Sequence, residues 1–175
     1  MTFGPEDVLH YAYAVFHSRE YRRRYAEHLP DGFPRLPLPG SATVFRCLCA
    51  GGAGLARLHL FEDSGRSRKG IITLRDKGTR EIAPGYPRYE DGRVWINATR
   101  WFAGVTPNAW NCPIGAHQVC VKWLKDRRGR CLTNEEVARY RRMVAVLEET
   151  LERMTAIDRA IGAQGGWPAA FAAAT

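Results

Sequence analysis

The sequence lacks long apolar runs, and none of its segments is long enough to cross a lipid bilayer as a helix. Its first residues also lack the basic start of a secretion signal, because Glu6 and Asp7 directly follow Pro5. We therefore expect a soluble, cytoplasmic protein with no membrane partner. At 175 residues the chain is long enough for one sizeable core, and we expect a single domain over residues 1–162 followed by a loosely ordered tail, 163–175.

The common catalytic motifs are missing as well. The sequence contains no phosphate-binding loop, no glycine-rich dinucleotide loop, no Gly-x-Ser-x-Gly and no His-Glu-x-x-His. It also lacks the Asn-Pro-Pro-aromatic motif of adenine methyltransferases and an Asp…Glu-x-Lys nuclease set. We therefore expect a chain that is not an enzyme and needs no cofactor. A small hydrolase or nuclease built from scattered single residues is the alternative.

Cysteines are few and odd in number, which argues against a disulfide framework in a chain without a secretion signal. The five are Cys47, Cys49, Cys112, Cys120 and Cys131. The conceivable zinc ligands are Cys112, His117, Cys120 and Cys131, but no Cys-x-x-Cys pair anchors them. We therefore predict reduced thiols and no metal site.

Positive charge is confined to the middle third of the chain. Residues 64–130 contain 14 Lys and Arg against 5 Asp and Glu, a net charge of +9. Residues 1–63 are neutral, and residues 131–175 carry a net charge of −1. This distribution is typical of a domain with one surface that faces a polyanion. A basic surface that serves only solubility is the alternative.

Apolar spacing predicts helices at both ends of the chain. Helix-forming patterns cover residues 5–17 and 19–28, and a third helix begins after Ser41, with three glycines that favour a kink. The proline-rich segment 33–39 cannot be helical and is expected to cross the core as an extended strap. A long amphipathic helix is predicted over residues 134–161, with polar Asp158 inside its apolar stripe.

The middle of the chain has the composition of strands. A hairpin is predicted from Ile71–Leu74 and Arg80–Ala83 around the turn at residues 76–78, after an exposed loop at 63–70. A second hairpin is predicted around Asp91-Gly92, a pair that favours a tight turn. The expected fold is therefore α+β, with a small, mostly antiparallel sheet at about 70–110 packed with N-terminal helices and one long C-terminal helix.

One stretch, Ile114–Arg130, combines a short amphipathic helix with a cationic end. Its apolar residues Val119, Val121, Trp123 and Leu124 are spaced to bury one side of a helix. The cations that follow or lie between them are Lys122, Lys125, Arg127, Arg128 and Arg130. We therefore predict a packed helix that presents positive charge to solvent.

Three blocks in this order resemble one family, the C-terminal specificity domain of type ISP restriction-modification enzymes. The first block lies within Leu9–Pro39, the second within Arg93–Trp110 and the third within Ile114–Arg130. The resemblance covers nearly the whole chain, although Ala98, Arg100, Ala103, His117 and Val121 differ from the family pattern. Enzymes of this family join a nuclease, an ATP-driven motor, an adenine methyltransferase and a domain that recognises DNA.

The resemblance implies sequence-specific binding of double-stranded DNA, which would direct methylation and cleavage carried out by other domains or chains. Arg and Asn side chains suit base edges, whereas Lys mainly contacts phosphate. Nine residues are predicted to contact DNA: Arg93, Asn97, Arg100, Gln118, Lys122, Lys125, Arg127, Arg128 and Arg130. For Asn97 the alternative is that it satisfies buried backbone groups in a turn.

An interaction module is the alternative function. In that case the 134–161 helix would dock a methyltransferase or motor partner, and contact with DNA would be incidental.

Overall fold

Helices and one small antiparallel sheet build the chain, which confirms the expected α+β class. The structure is a computed structural model that describes residues 2–29, 32–62, 72–75 and 77–172. The chain divides into two compact units, residues 1–63 with 152–175 and residues 64–151. The elements in order are α1 Pro5–His17, α2 Arg19–Arg24, α3 Ala42–His59, β1 Thr73–Arg75, β2 Arg88–Glu90, β3 Arg93–Trp95, β4 Trp101–Ala103, α4 Pro107–Trp110, β5 Pro113–Ile114, β6 His117–Gln118, α5 Val119–Lys125, α6 Asn134–Ala163 and a 3-10 turn, Ala169–Phe171.

Helix α1 begins and ends where its sequence predicts. Pro5 occupies the first turn, and the Asp7 carboxylate accepts a hydrogen bond from the backbone N–H of Gly4 at 2.9 Å. This contact satisfies one of the donors that a helix N-terminus leaves unpaired. The side chains that α1 buries in the first unit are Tyr11, Ala14 and Val15.

Helix α3 runs without interruption through the glycines that favour a kink in the sequence. A Cβ atom on Gly52 would lie 1.8 Å from the carbonyl oxygen of His10 in α1. A Cβ atom on Gly51 would lie 3.0 Å from the Ile157 side chain. These glycines therefore permit close packing of neighbouring helices, which offsets their low helix propensity.

Ser18 explains why the long helix carries an aspartate in its apolar stripe. The Ser18 hydroxyl accepts from the backbone N–H of Tyr21 at 3.1 Å and so caps α2. The same hydroxyl donates to the Asp158 carboxylate at 2.6 Å. The Arg19 backbone N–H donates to the other carboxylate oxygen at 3.2 Å. Helix α2 itself ends at Arg24, earlier than predicted, and turns continue the chain.

The proline-rich segment is extended, as predicted, and is held both by its backbone and by Leu36, which packs against the core of the first unit. The hydroxyl of Tyr11 donates to the Pro37 carbonyl at 2.7 Å, and that of Tyr21 donates to the Arg35 carbonyl at 2.8 Å. Phe33 and Leu38 are 99% and 78% exposed. Because proline removes backbone donors, the carbonyls of this segment are the groups left to pair, and buried tyrosines supply the donors.

The sheet of the second unit has the strand order β1-β4-β3-β2, with every neighbouring pair antiparallel. The predicted hairpin around Asp91-Gly92 is confirmed as β2–β3. Both turn residues have positive φ, 46° and 75°, the backbone that two-residue hairpin turns require.

The other predicted hairpin is wrong, because β1 pairs with β4 and not with residues 80–83. Glu81 and Ile82 instead form isolated bridges with Cys131 and Arg128. Ile71, Asp76 and the predicted loop at 63–70 lie outside the described residues. The error has a physical cause. Turn residues near position 78 favour a reversal of the chain, but they do not fix which strand pairs with β1.

Helices α5 and α6 contribute to the core below the sheet. The fully buried side chains there include Val94 and Phe102 from the strands, Leu124 from α5 and Tyr140 from α6. The Phe102 and Tyr140 rings lie 4.5 Å apart, centroid to centroid. Helix α6 confirms the predicted long C-terminal helix and is two residues longer than expected.

Several residues after α6 pack against the first unit. Ala170 is 2% exposed, and the ring of Trp167 stacks on that of Phe171 with a centroid distance of 4.0 Å. The Gly40 backbone N–H donates to the Ala170 carbonyl at 2.9 Å. Residues 167–172 therefore pack in the first unit. Across the described ranges, no helix combines the length and apolarity needed to span a membrane.

Candidate nucleic-acid interface

The sequence prediction of a packed helix with a cationic end holds for α5. Cys120 and Leu124 are fully buried, whereas Lys122, Lys125 and Arg128 are exposed. We call residues Lys122–Arg130, which comprise the end of α5 and the turns that follow it, the basic loop. Its charge is presented from a fixed base, because the first turns of α5 belong to the core.

Backbone hydrogen bonds to a neighbouring segment hold the end of the basic loop. The Gly129 N–H donates to the Ile82 carbonyl at 2.9 Å, and the Ile82 N–H donates to the Arg130 carbonyl at 3.3 Å. The Leu132 N–H donates to the Arg80 carbonyl at 3.1 Å. Gly129 has a φ of 76°, which suits glycine and lets the chain turn into these bonds. These bonds therefore position the end of the basic loop beside residues 80–82.

One carboxylate, Glu136, pairs with two of the predicted DNA-binding arginines. One of its oxygens lies 3.1 Å from Arg127 Nε and 2.6 Å from Arg130 Nη2. Its other oxygen accepts the Thr133 backbone N–H at 3.1 Å, while the Thr133 hydroxyl accepts the Glu136 N–H at 3.2 Å. This reciprocal capping box begins α6. The Thr133 N–H, followed by the two arginines, holds the pKa of Glu136 below its usual value.

The cations of the basic loop differ in how much of their charge is open to a ligand. Arg127 stacks on the Trp123 ring, 3.6 Å from its centroid, and is only 20% exposed. Lys122 pairs with Asp126 at 2.8 Å, and both are about half exposed. Arg128 uses Nε to donate to the Tyr86 carbonyl at 2.6 Å, which leaves its terminal nitrogens outside that bond.

Lys125 is exposed and forms no ion pair within the described part of the chain. Lys125 and Arg128 are thus the two cations of the loop that no carboxylate of the described residues neutralises. We place them first among the candidates for phosphate contacts.

Asn97 has a structural role in the fold, the alternative that its sequence position left open. It is 7% exposed, and its amide nitrogen donates to the carbonyls of Thr79 and Glu81 at 3.0 and 2.9 Å. Its oxygen accepts the Thr99 N–H at 3.0 Å. The base-edge contact predicted for Asn97 needs these same polar atoms, so we leave it out of the proposed interface.

Replacing Asn97 by Ala is expected to lower the free energy of unfolding by about 2 kcal/mol, because partly buried carbonyls and an N–H lose their partner. The matched control is Asn108→Ala, since Asn108 is exposed on α4 and its loss should cost under about 0.5 kcal/mol. Urea denaturation of both variants measures the difference. Unchanged stability of the Asn97 variant, together with altered preference for a DNA sequence, would restore the base-reading role.

Arg100 lies in the same turn as Asn97 and donates from Nη1 to the Gly78 carbonyl at 2.8 Å. Segment 78–82 is therefore bonded on one side to the 97–100 turn and on the other to the basic loop. Arg100 and Arg128 are far apart in sequence, but both contact this segment, Arg100 at Gly78 and Arg128 at Ile82. Their contact with DNA stays a prediction.

Two predicted residues lie on other elements. Arg93 is exposed on β3, with its guanidinium 5.5 Å from the centroid of the Trp101 ring. Gln118 is exposed on β6, and its amide nitrogen lies 3.5 Å from the side-chain oxygen of Asn111. Two further arginines that the sequence did not single out, Arg75 and Arg88, are exposed on β1 and β2. Only the strand register reveals their position.

Within the described ranges, no three His, Cys, Asp or Glu side chains lie close enough together to hold a metal ion. Cys112 and Cys120, two of the conceivable zinc ligands, are instead engaged locally. The Cys120 thiol, for example, lies 3.4 Å from the Ala109 carbonyl oxygen.

The structure is an α+β fold in which backbone hydrogen bonds to residues 80–82 hold the end of the basic loop. The family model for the type ISP C-terminal specificity domain matches residues 1–156, so the chain belongs to that family. This confirms the resemblance that the sequence blocks indicate. No curated protein matches the chain.

Three solved structures resemble the chain in fold. The DrdV–DNA complex, solved by cryoEM, matches with a TM-score of 0.65 and 20% identity over 95% of this chain. The type ISP enzyme LlaBIII bound to DNA matches with a TM-score of 0.59 and 17% identity over 90%. A nuclease-deletion mutant of the type ISP enzyme LlaGI, in complex with a DNA substrate mimic, matches with a TM-score of 0.56 and 17% identity over 90%. The chain spans only 18%, 11% and 14% of those chains, respectively.

Proposed function

We propose that this chain is the target-recognition domain of a type ISP-like restriction-modification system and binds double-stranded DNA with sequence preference. Methylation and cleavage are then carried out by other domains or chains, and residues 1–162 act as one non-catalytic recognition domain in the cytoplasm. The observation that carries the proposal is membership of the specificity-domain family over residues 1–156. The three similar structures contain DNA or a DNA substrate mimic, which supports the choice of ligand.

The charge of the basic loop supports the same ligand. Its five cations face two carboxylates, Asp126 and Glu136, so the loop keeps a positive charge after pairing. Phosphate contacts from such a surface supply affinity without sequence preference. Arg100, held in the 97–100 turn, is our candidate for a contact that depends on sequence.

The interaction-module alternative is not favoured. Helix α6 buries its apolar stripe among residues of its own chain, including Tyr140 and Val144 in the second unit and Ile157 and Ile161 in the first. A stripe already used for packing does not offer a free apolar face to a partner. The proposal therefore assigns α6 a structural role.

Duplex binding at increasing salt tests the proposal. We expect log K to fall linearly with log salt, because each phosphate contact releases counterions. Purified chain and a mixed-sequence duplex in a gel-shift series measure the slope. Absence of binding even at low salt would contradict the proposed function.

A further inference from the structure

The outer face of the four-stranded sheet carries a second surface, which of the predicted duplex contacts includes only Arg93. Val94 and Phe102 are fully buried in the core below the sheet. Side chains alternate along a strand, so Arg93, Trp95 and Trp101 lie on the opposite face.

Strand register arranges four large side chains in one row across the outer face. Arg75 pairs with Trp101, Trp101 pairs with Trp95, and Trp95 pairs with Arg88. Two tryptophans therefore lie between two arginines, one on each edge strand. Neighbouring strands are about 4.8 Å apart, which places the backbones of the two arginines about 14 Å from each other.

The two indole rings of this row form an aromatic pair. Their centroids are 4.5 Å apart, with an interplanar angle of 43°. Both tryptophans are half-buried, and the indole nitrogen of Trp95 is itself buried without a hydrogen-bond partner in the described part of the chain. The guanidinium of Arg93, in the neighbouring row, lies 5.5 Å from the Trp101 ring centroid and adds a cation beside the pair.

Positive charge predominates on this face. Arg75, Arg88 and Arg93 are exposed, and Arg88 also donates from Nε to the Gly85 carbonyl at 3.2 Å. Within the four strands the only carboxylate is Glu90, which is exposed and opposite Arg93 in the register. Three cations against one anion leave a net positive face around the indoles.

We propose that the outer face of the sheet binds unpaired nucleotides of single-stranded DNA. The indoles stack on bases, while Arg75 and Arg88 contact the phosphates on either side. Aromatic rings within a positively charged surface are the combination that binds single strands without strong sequence preference. In a duplex the base faces are covered by neighbouring bases, so a duplex cannot stack on the indoles and is expected to bind at the basic loop instead. The inference goes beyond the proposed duplex binding and does not rest on it.

The test compares oligothymidine, which cannot pair with itself, with a mixed-sequence duplex, both by fluorescence anisotropy with the full chain. We expect Arg75→Ala with Arg88→Ala to weaken oligothymidine binding about tenfold. Duplex binding should stay unchanged. The matched control is Arg139→Ala with Arg142→Ala, which removes two exposed charges from α6 and should preserve binding of both ligands.

The role of stacking is tested at the ring itself. Trp101→Leu should weaken oligothymidine binding about tenfold, and Trp101→Phe should restore most of the loss, because every aromatic face supports stacking. Circular dichroism of each variant checks that the fold is retained.

Three results would overturn the inference. The first is failure of the wild-type chain to bind oligothymidine. The second is a parallel loss of duplex affinity in the Arg75 and Arg88 variant, which would make the face part of the duplex site. The third is polyglutamic acid competing as well as oligothymidine, with no effect of Trp101→Leu, which would show recognition by charge alone.

Discussion

Replacing Lys125 and Arg128 together by alanine is expected to weaken duplex binding about tenfold at moderate salt, to a similar degree for all DNA sequences. The slope of log K against log salt should become shallower by about two, one contact for each cation. These side chains are the cations of the basic loop that lack a carboxylate partner among the described residues. Their full charge is therefore available to phosphate.

The paired arginines of the same loop should contribute less. Arg127 and Arg130 share Glu136, and Arg127 also covers the Trp123 ring. Their replacement should lower stability as well as affinity, because the pairs fasten the loop to the start of α6.

The control for the loop variant is again Arg139→Ala with Arg142→Ala, which changes the net charge equally outside the loop. Gel shifts at several salt concentrations compare the two double variants. Equal loss of affinity in both would mean that net charge, rather than the basic loop, binds DNA.

Replacing Gly52 by alanine is expected to lower the free energy of unfolding by about 3 kcal/mol or more, at the upper end of overpacking costs. The new Cβ would lie 1.8 Å from the carbonyl oxygen of His10 and 2.7 Å from its carbonyl carbon. Both atoms belong to the backbone of α1, so no side-chain rotation relieves the clash. The helices must separate, and the core between α1 and α3 must open.

Gly162→Ala is the matched control, because Gly162 also lies in a helix but has no atom within 4 Å of its ideal Cβ position. Alanine there should be neutral or stabilise by up to about 1 kcal/mol. Urea denaturation of both variants gives the comparison. Equal stabilities would show that α1 and α3 do not approach closely at Gly52.

Local signals in the sequence were sufficient for much of the architecture. The bounds of α1 follow from Pro5, its acidic first turn and its apolar spacing, and the β2–β3 hairpin follows from Asp91-Gly92. The long α6 follows from its periodic stripe. These features depend on interactions between residues a few positions apart, which the order of residues fixes directly. Three ordered motif blocks likewise identified the family.

What the sequence by itself determined is thus the long helices, one hairpin, the family and the part of the chain that carries the positive charge. Only the tertiary structure decided that β1 pairs with β4, that Asn97 is buried and that Glu136 forms ion pairs with two arginines of the basic loop. It also decided that Arg75 and Arg88 flank two tryptophans on one face. The reason is that strand pairing, burial and ion pairing join residues distant in sequence, and the free energy of each depends on the packing around it.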